Sequence, residues 1–431
     1  MTGPLHFGDR EKMRNFFALL VGFLLVGNGC RKALPEGNIP TTLILAWDKN
    51  QLVSGDEEAR NLLGTRLVRQ AGDLHDYQTA MKECQTIGGV QRGLALAMLA
   101  WDAANSGYMD QAKQLLHLAD ADSWILSDSD KGARSAYLAG TEMRLGWGNR
   151  ARMRMDSILD ANQKEFAENL VQAAQLGRNP SVIFPNDKKI RQDAVSPTVQ
   201  SLLYHFRNPT TPRTEKVAVY HLIEGLIPAA DPGTATECWS RLAVAAYESG
   251  LVGEGAVAAR KSMELAQSLD PRTEGYAVGL RDAALALLVT GDRPEALHCL
   301  ELASAKPELI TFFFQPEAMM AIAEGYEKAG EKEKANTYWL KAIKTAKGHH
   351  HPRARQMNVV LLLSNMARAG VVPSPEVMEV IEAIGRGEGG DAPLPPGYVK
   401  VGDAKTNVVV PTVQQDKKEK RKKQAKVVPA A

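Results

Sequence analysis

Apolar residues recur at offsets of three and four along most of this chain, the stripe of an amphipathic helix. Met319, Ile322, Ala323 and Tyr326 mark one such stripe ahead of Gly330, and Ala335, Trp339 and Ala342 mark another after it. A glycine between two helical stripes predicts a left-handed helix ending and a reversal of the chain. The pattern repeats with Ala283, Ala284 and Leu287 before Gly291, then Ala296, Leu300 and Ala303 after it. It repeats with Trp239, Leu242 and Ala246 before Gly250, and with Leu96, Leu99 and Ala103 before Gly107. Gly107, Gly146, Gly250, Gly291, Gly330 and Gly370 are separated by 39, 104, 41, 39 and 40 residues. Ala100, Ala139, Ala243, Ala284 and Ala323 each lie seven residues before one of these glycines. Ala112, Ala151, Ala296 and Ala335 each lie five residues after one. A fixed period of this size predicts stacked helix pairs. The fold class is therefore all-α, an antiparallel helix-pair solenoid.

The rhythm breaks between Gly146 and Gly250. Helices are expected near Lys164–Leu176, Thr198–Phe206 and Glu215–Ile227, with an exposed loop at about 178–196. Asn179-Pro180, Phe184-Pro185, Ser196-Pro197 and Asn208-Pro209 punctuate this stretch, since a proline biases its predecessor away from helix. A weaker repeat is expected around Gly72, with its second helix over His75–Ile87, and Ser374-Pro375 reads as the start of a last helix. The resulting division is 51–160 for the first repeats, 161–232 for an irregular insertion and 233–385 for the second repeats. Residues 386–431 hold ten Lys/Arg against five Asp/Glu, including the run Lys417–Lys423, and are expected to be a disordered basic tail. The body, 30–385, is mildly acidic at a net −4, so no nucleic acid is expected as a partner of the folded part.

The alanine and glycine offsets resemble the tetratricopeptide repeat. The period near 40 exceeds that family's 34, and several of its unit-ending prolines are missing. The resemblance implies that the first helix of each pair lines a concave groove that holds a protein or peptide partner. Carried onto this chain, the groove positions are Trp101, Met143, Arg144, Tyr247, Arg281, Glu324, Lys328 and Arg368. A second reading is a glycan-binding surface with Trp124 and Trp147 as aromatic platforms.

At the amino terminus, Arg10, Lys12 and Arg14 precede the apolar run Phe16–Val26, the plan of a secretory signal. Gly29-Cys30 after it resembles a bacterial lipoprotein box, although Gly27 stands where that family usually has leucine. The resemblance implies cleavage of residues 1–29, lipidation of Cys30 with palmitate-type chains, and a tether over 30–50. The expected location is the cell envelope, lipid-anchored, on the periplasmic or surface side of the outer membrane. Met13 offers an alternative start.

The remaining candidate chemistry is sparse. Cys84, Cys238 and Cys299 fall in expected helices and match no zinc or redox spacing. His349–His351 read as a loop after a helix ending near Lys347, and Asp128 or Asp130 reads as a helix cap after Asp120 and Asp122. No hydrolase elbow, phosphate loop or HExxH motif occurs. The expectation is a non-enzyme without metal, cofactor or small-molecule substrate, serving as a scaffold in envelope or secretion-system assembly.

Overall fold

All six glycines adopt left-handed backbone, with φ between +81° and +89°. Each closes a helix in the same way. At Gly107 the glycine N–H donates to Ala104 O (3.4 Å) and the Tyr108 N–H donates to Ala103 O (2.8 Å). At Gly330 the matching pair is Gly330 N–H to Glu327 O (3.0 Å) and Glu331 N–H to Tyr326 O (2.9 Å). This is the Schellman arrangement, which satisfies carbonyls left open at a helix end. A seventh copy lies upstream, and its left-handed residue is His75, at φ +60°, where Gly72 had been expected. His75 N–H donates to Gly72 O (2.7 Å) and Asp76 N–H donates to Ala71 O (3.1 Å). Gly72 instead stays in the helix, where a Cβ would come within 2.8 Å of Leu99 Cδ2.

The computed structural model describes residues 41–391 except 52, 54–56, 74, 123–127 and 179–189, together with 398–401 and 408–411. The signal segment, Cys30 and Trp124 lie outside the described residues. Eighteen helices are present among the described residues. After α1 (Thr41–Gln51) come the pairs α2 (Glu57–Asp73) with α3 (Tyr77–Cys84), α4 (Gly89–Asn105) with α5 (Met109–Ala121), and α6 (Asp128–Arg144) with α7 (Gly148–Asp156). Single helix α8 (Ala161–Arg178) precedes the pair α9 (Val195–Arg207) and α10 (Arg213–Leu226). Four further pairs follow: α11 (Pro232–Glu248) with α12 (Val252–Ser268), α13 (Glu274–Val289) with α14 (Arg293–Ser304), α15 (Gln315–Lys328) with α16 (Lys332–Gly348), and α17 (Pro352–Ala369) with α18 (Pro375–Gly385). No helix among the described residues is long and apolar enough to cross a membrane.

The periodic alanines are what let the pairs close up. Ala100, Ala139, Ala243, Ala284 and Ala323 are fully buried, as are Ala112, Ala151, Ala296 and Ala335. A methyl side chain admits the partner helix where a larger one would hold it away. Trp339 and Tyr326, both 2% exposed, fill the space between units. The three cysteines behave as small apolar residues, and burial pushes each thiol up to about 12. Ser374 caps α18 as its sequence suggests, accepting from Val377 N–H.

The first helices of successive pairs pack side by side, α2 on α4, α4 on α6, and α11 on α13, α15 and α17 in turn. The two ends of the array then meet. α17 packs against α1 and α2. Thr42 Oγ1 donates to Val371 O at 2.9 Å, and Gln70 Nε2 donates to Ser364 O at 2.6 Å. The array is thus a ring, and residues 41–50, expected in a tether, are the helix that seals its seam.

The 104-residue gap also acquires a form. α8 packs on α6 and α9, building a small second core from Trp101, Met143, Phe166 and Leu170. α4 and α9 touch directly across the base of this lobe, with Ser201 Oγ donating to Asn105 Oδ1 at 2.9 Å. The α9–α10 connection runs through Asn208-Pro209 and Pro212 with no left-handed glycine, which explains the missing marker. In the segment expected to be disordered, Gly390 N–H donates to Lys347 O (3.0 Å). Strands β1 (Tyr398–Val401) and β2 (Val408–Pro411) pair antiparallel there, Val399 opposite Val410.

Candidate functional site

Closing the ring turns the expected groove into a central cavity of about 320 Å³. In three of its helices the wall follows a register counted back from the left-handed turn residue. Positions nine, six and five before the turn share one face of a helix. In α2, counted from His75, they are Arg66, Arg69 and Gln70. In α4, counted from Gly107, they are Met98, Trp101 and Asp102. In α17, counted from Gly370, they are Leu361, Ser364 and Asn365. α11 adds Arg241 and α13 adds Arg281.

Three expected groove residues, Trp101, Arg281 and Arg368, line this cavity. Glu324, one of the other five, sits behind two of them. Its carboxylate is 1% exposed and accepts from Arg281 Nη1 (2.7 Å), Arg368 Nε (2.6 Å) and Arg368 Nη2 (2.5 Å). Arg281 also meets Asp282 at 2.7 Å. Burial opposes the charge on Glu324, but Arg281 and Arg368 override it and hold the carboxyl below its ordinary range. Asp282 goes the other way. Its burial outweighs Arg281 and raises its pKa.

Asp102 faces the same space. It accepts from Tyr77 OH (2.8 Å) and Gln200 Nε2 (2.6 Å), and no ion pair to it forms among the described residues. Burial raises its pKa, while the Tyr77 hydrogen bond and the fields of Arg207, Arg241 and Arg69 work against the rise. Trp101 is 2% exposed, and its Nε1 has no hydrogen-bond partner.

The other expected groove residues lie elsewhere. Met143 and Tyr247 stand three before their turns, off the inner face: Met143 is in the second core, and Tyr247 is half-buried beside Gly255. Lys328 is exposed but does not line the cavity. Arg144 is turned into the α6–α8–α9 lobe, 4% exposed, its guanidinium 4.1 Å from the Tyr204 ring centre. Among the described residues no carboxylate pairs with it and its Nη1 has no hydrogen-bond partner, and burial pushes it down to about 10. Trp147 is half-buried, with Arg150 stacked on its ring at 5.4 Å. Asp120 is held by Arg150 and Arg154, and Asp122 by Arg92. Asp128 and Asp130 lie inside the first turn of α6, not before it. Of the three histidines, His349 ends α16 and His351 caps α17 by accepting from Arg353 N–H.

Arg66, Arg69, Asp102, Gln200 and Arg241 were not singled out from sequence. The signal for Arg69 was available: with His75 as the turn residue it stands six before the turn, on the wall register, whereas counting from Gly72 puts it at three; Arg66 falls on the register by either count, at nine or at six. Compared with family models, with curated proteins and with solved structures, the chain finds no match in any of the three.

Proposed function

We propose that this protein is a binding scaffold of the bacterial cell envelope, anchored through a lipid on Cys30, and that its inner helix face receives a protein or peptide partner in envelope or secretion-system assembly. One observation carries the reading: Trp101, Arg281 and Arg368, from three separate repeats, converge on one cavity of mixed apolar and charged character. Such a surface suits recognition, because apolar contact supplies affinity and placed charges supply selectivity. The tetratricopeptide-like alanine and glycine offsets support a solenoid-type partner site, and the Gly29-Cys30 ending supports the anchor.

The test is photo-crosslinking in cells. A photoreactive residue at Met98 or Arg368, both on the cavity wall, is expected to capture one envelope protein, and one at Arg260 on outer helix α12 is not. Capture from Arg260 alone, or from none of the three, overturns the scaffold reading. Labelled palmitate is expected to enter the wild type and not Cys30→Ser. An unlabelled wild type removes the anchor.

A further inference from the structure

The cavity wall carries five arginines, and three of them are matched by carboxylates. Arg241 pairs with Glu237 at 2.5 Å, while Arg281 and Arg368 share Glu324. Arg66 and Arg69 differ. Neither forms an ion pair or side-chain hydrogen bond among the described residues, and both side chains are exposed. They stand one turn apart on the same face of α2, so their like charges repel. Among the described residues no wall carboxylate pairs with either, although Asp102 and Arg69 feel each other's field. Asp102 is occupied by Tyr77 and Gln200, and Glu317 on α15 comes within ion-pair distance of neither arginine.

Two neighbouring guanidiniums on a concave wall form a fork for an oxyanion, since each offers parallel N–H donors at carboxylate or phosphate spacing. The rest of the wall defines what accompanies the charge. Met98, Val278 and Leu361 supply apolar surface, and Trp101 borders it. The volume of about 320 Å³ lies at the small end of organic-ligand sites. We propose that this cavity binds a small organic oxyanion, a carboxylate or a phosphate ester with an apolar body, whose anionic group is held by Arg66 and Arg69.

The experiment is calorimetric titration of the full chain, at fixed ionic strength, with phenyl phosphate, phenylacetate and neutral benzyl alcohol. Saturable one-to-one binding of at least one anion is expected, with none for the alcohol. Whichever anion binds more tightly identifies the oxyanion class. Arg66→Gln/Arg69→Gln should weaken that binding at least about tenfold, the loss expected when charge-assisted hydrogen bonds are removed. Arg260→Gln, exposed on α12, should leave it unchanged. Because both arginines are exposed, the double variant should fold with an unchanged or higher urea midpoint, so lost binding is not lost structure. Absence of saturable binding of either anion at millimolar concentration overturns the proposal. So does binding that the double variant leaves intact.

Discussion

Replacing Glu324 with alanine tests whether the ring depends on a buried ion cluster. The carboxylate is 1% exposed and joins α15 to α13 through Arg281 and to α17 through Arg368. Three charge-assisted hydrogen bonds would be lost. At about 1.5–3 kcal/mol each, a simple sum overstates the cost, because the two arginines do not suffer equally. Arg368 has a side chain 43% exposed and can turn to water. Arg281 is 11% exposed and keeps only Asp282. The expected loss is therefore about 3 kcal/mol, the low end for breaking a buried pair from one side.

Urea unfolding followed by circular dichroism, with the slope checked for constancy, measures it. Arg368→Ala should cost less than Glu324→Ala. Arg281→Met/Glu324→Leu should recover part of the loss: Arg281 and Glu324 go together, Arg368 turns to water, and Asp282, deprived of Arg281, takes up a proton as its raised pKa favours. Acid should reproduce the effect. Glu324 has its folded pKa held below the ordinary 4.5, so its contribution is complete above that value and disappears as pH falls through the depressed folded one. A loss under about 1 kcal/mol for Glu324→Ala, or a double variant no better than the single, would refute the account of the cluster.

Four more outcomes are expected. Gly250→Ala and Gly291→Ala should each destabilise by about 1 kcal/mol with similar size, since both glycines have φ +89° and open space at Cβ, leaving only the backbone term. His75→Gly should move the other way by up to about 1 kcal/mol, less whatever its ring contacts with Tyr77 and Tyr108 supply; urea midpoints decide all three. His349 is buried against Phe312 and Phe313, and burial, followed by electrostatic repulsion of its charged form from His350 and Arg355, lowers it to about 4. Folding thus favours its neutral form: that contribution is whole above pH 6.5 and is lost as pH falls toward 4, and His349→Phe should flatten the midpoint over this window. Ala46→Asp places a charge in the fully buried seam between α1 and α17 and should raise amide exchange in α17 before it does so in α13; equal protection in both would argue that the seam does not hold the ring.

The parts of this fold that are legible in sequence are those with a local steric cause. A left-handed helix ending favours glycine, so six turns announce themselves, and the alanines that admit a neighbouring helix keep the same offsets. His75 shows where that logic fails. Histidine tolerates left-handed backbone at a cost, the motif leaves no glycine to count from, and a count from Gly72 takes Arg69 off the inner register. Charged residues are hidden for another reason. Glu324 and Arg281 read as solvated helix faces, because charge is normally exposed. Only their enclosure between three helices makes them structural.

Closure is the least legible feature, and it alters the functional argument most. It depends on Thr42 meeting Val371 and Gln70 meeting Ser364, pairs about 300 residues apart that no window of sequence connects. An open array of the same repeats would present its first-helix faces as a long groove, and all eight expected positions would be equivalent. In the ring those faces turn inward around a limited volume, so position along each helix decides which residue reaches it. In α2, α4 and α17 the residues six and nine before the turn reach the shared space, whereas Met143 and Tyr247, three before theirs, are left in the core or beside an outer helix. Arg69, Trp101 and Ser364 occupy the same register position with three different chemistries. The repeat supplies one backbone position several times over, and the chemistry of the cavity wall resides in which side chain each copy places there.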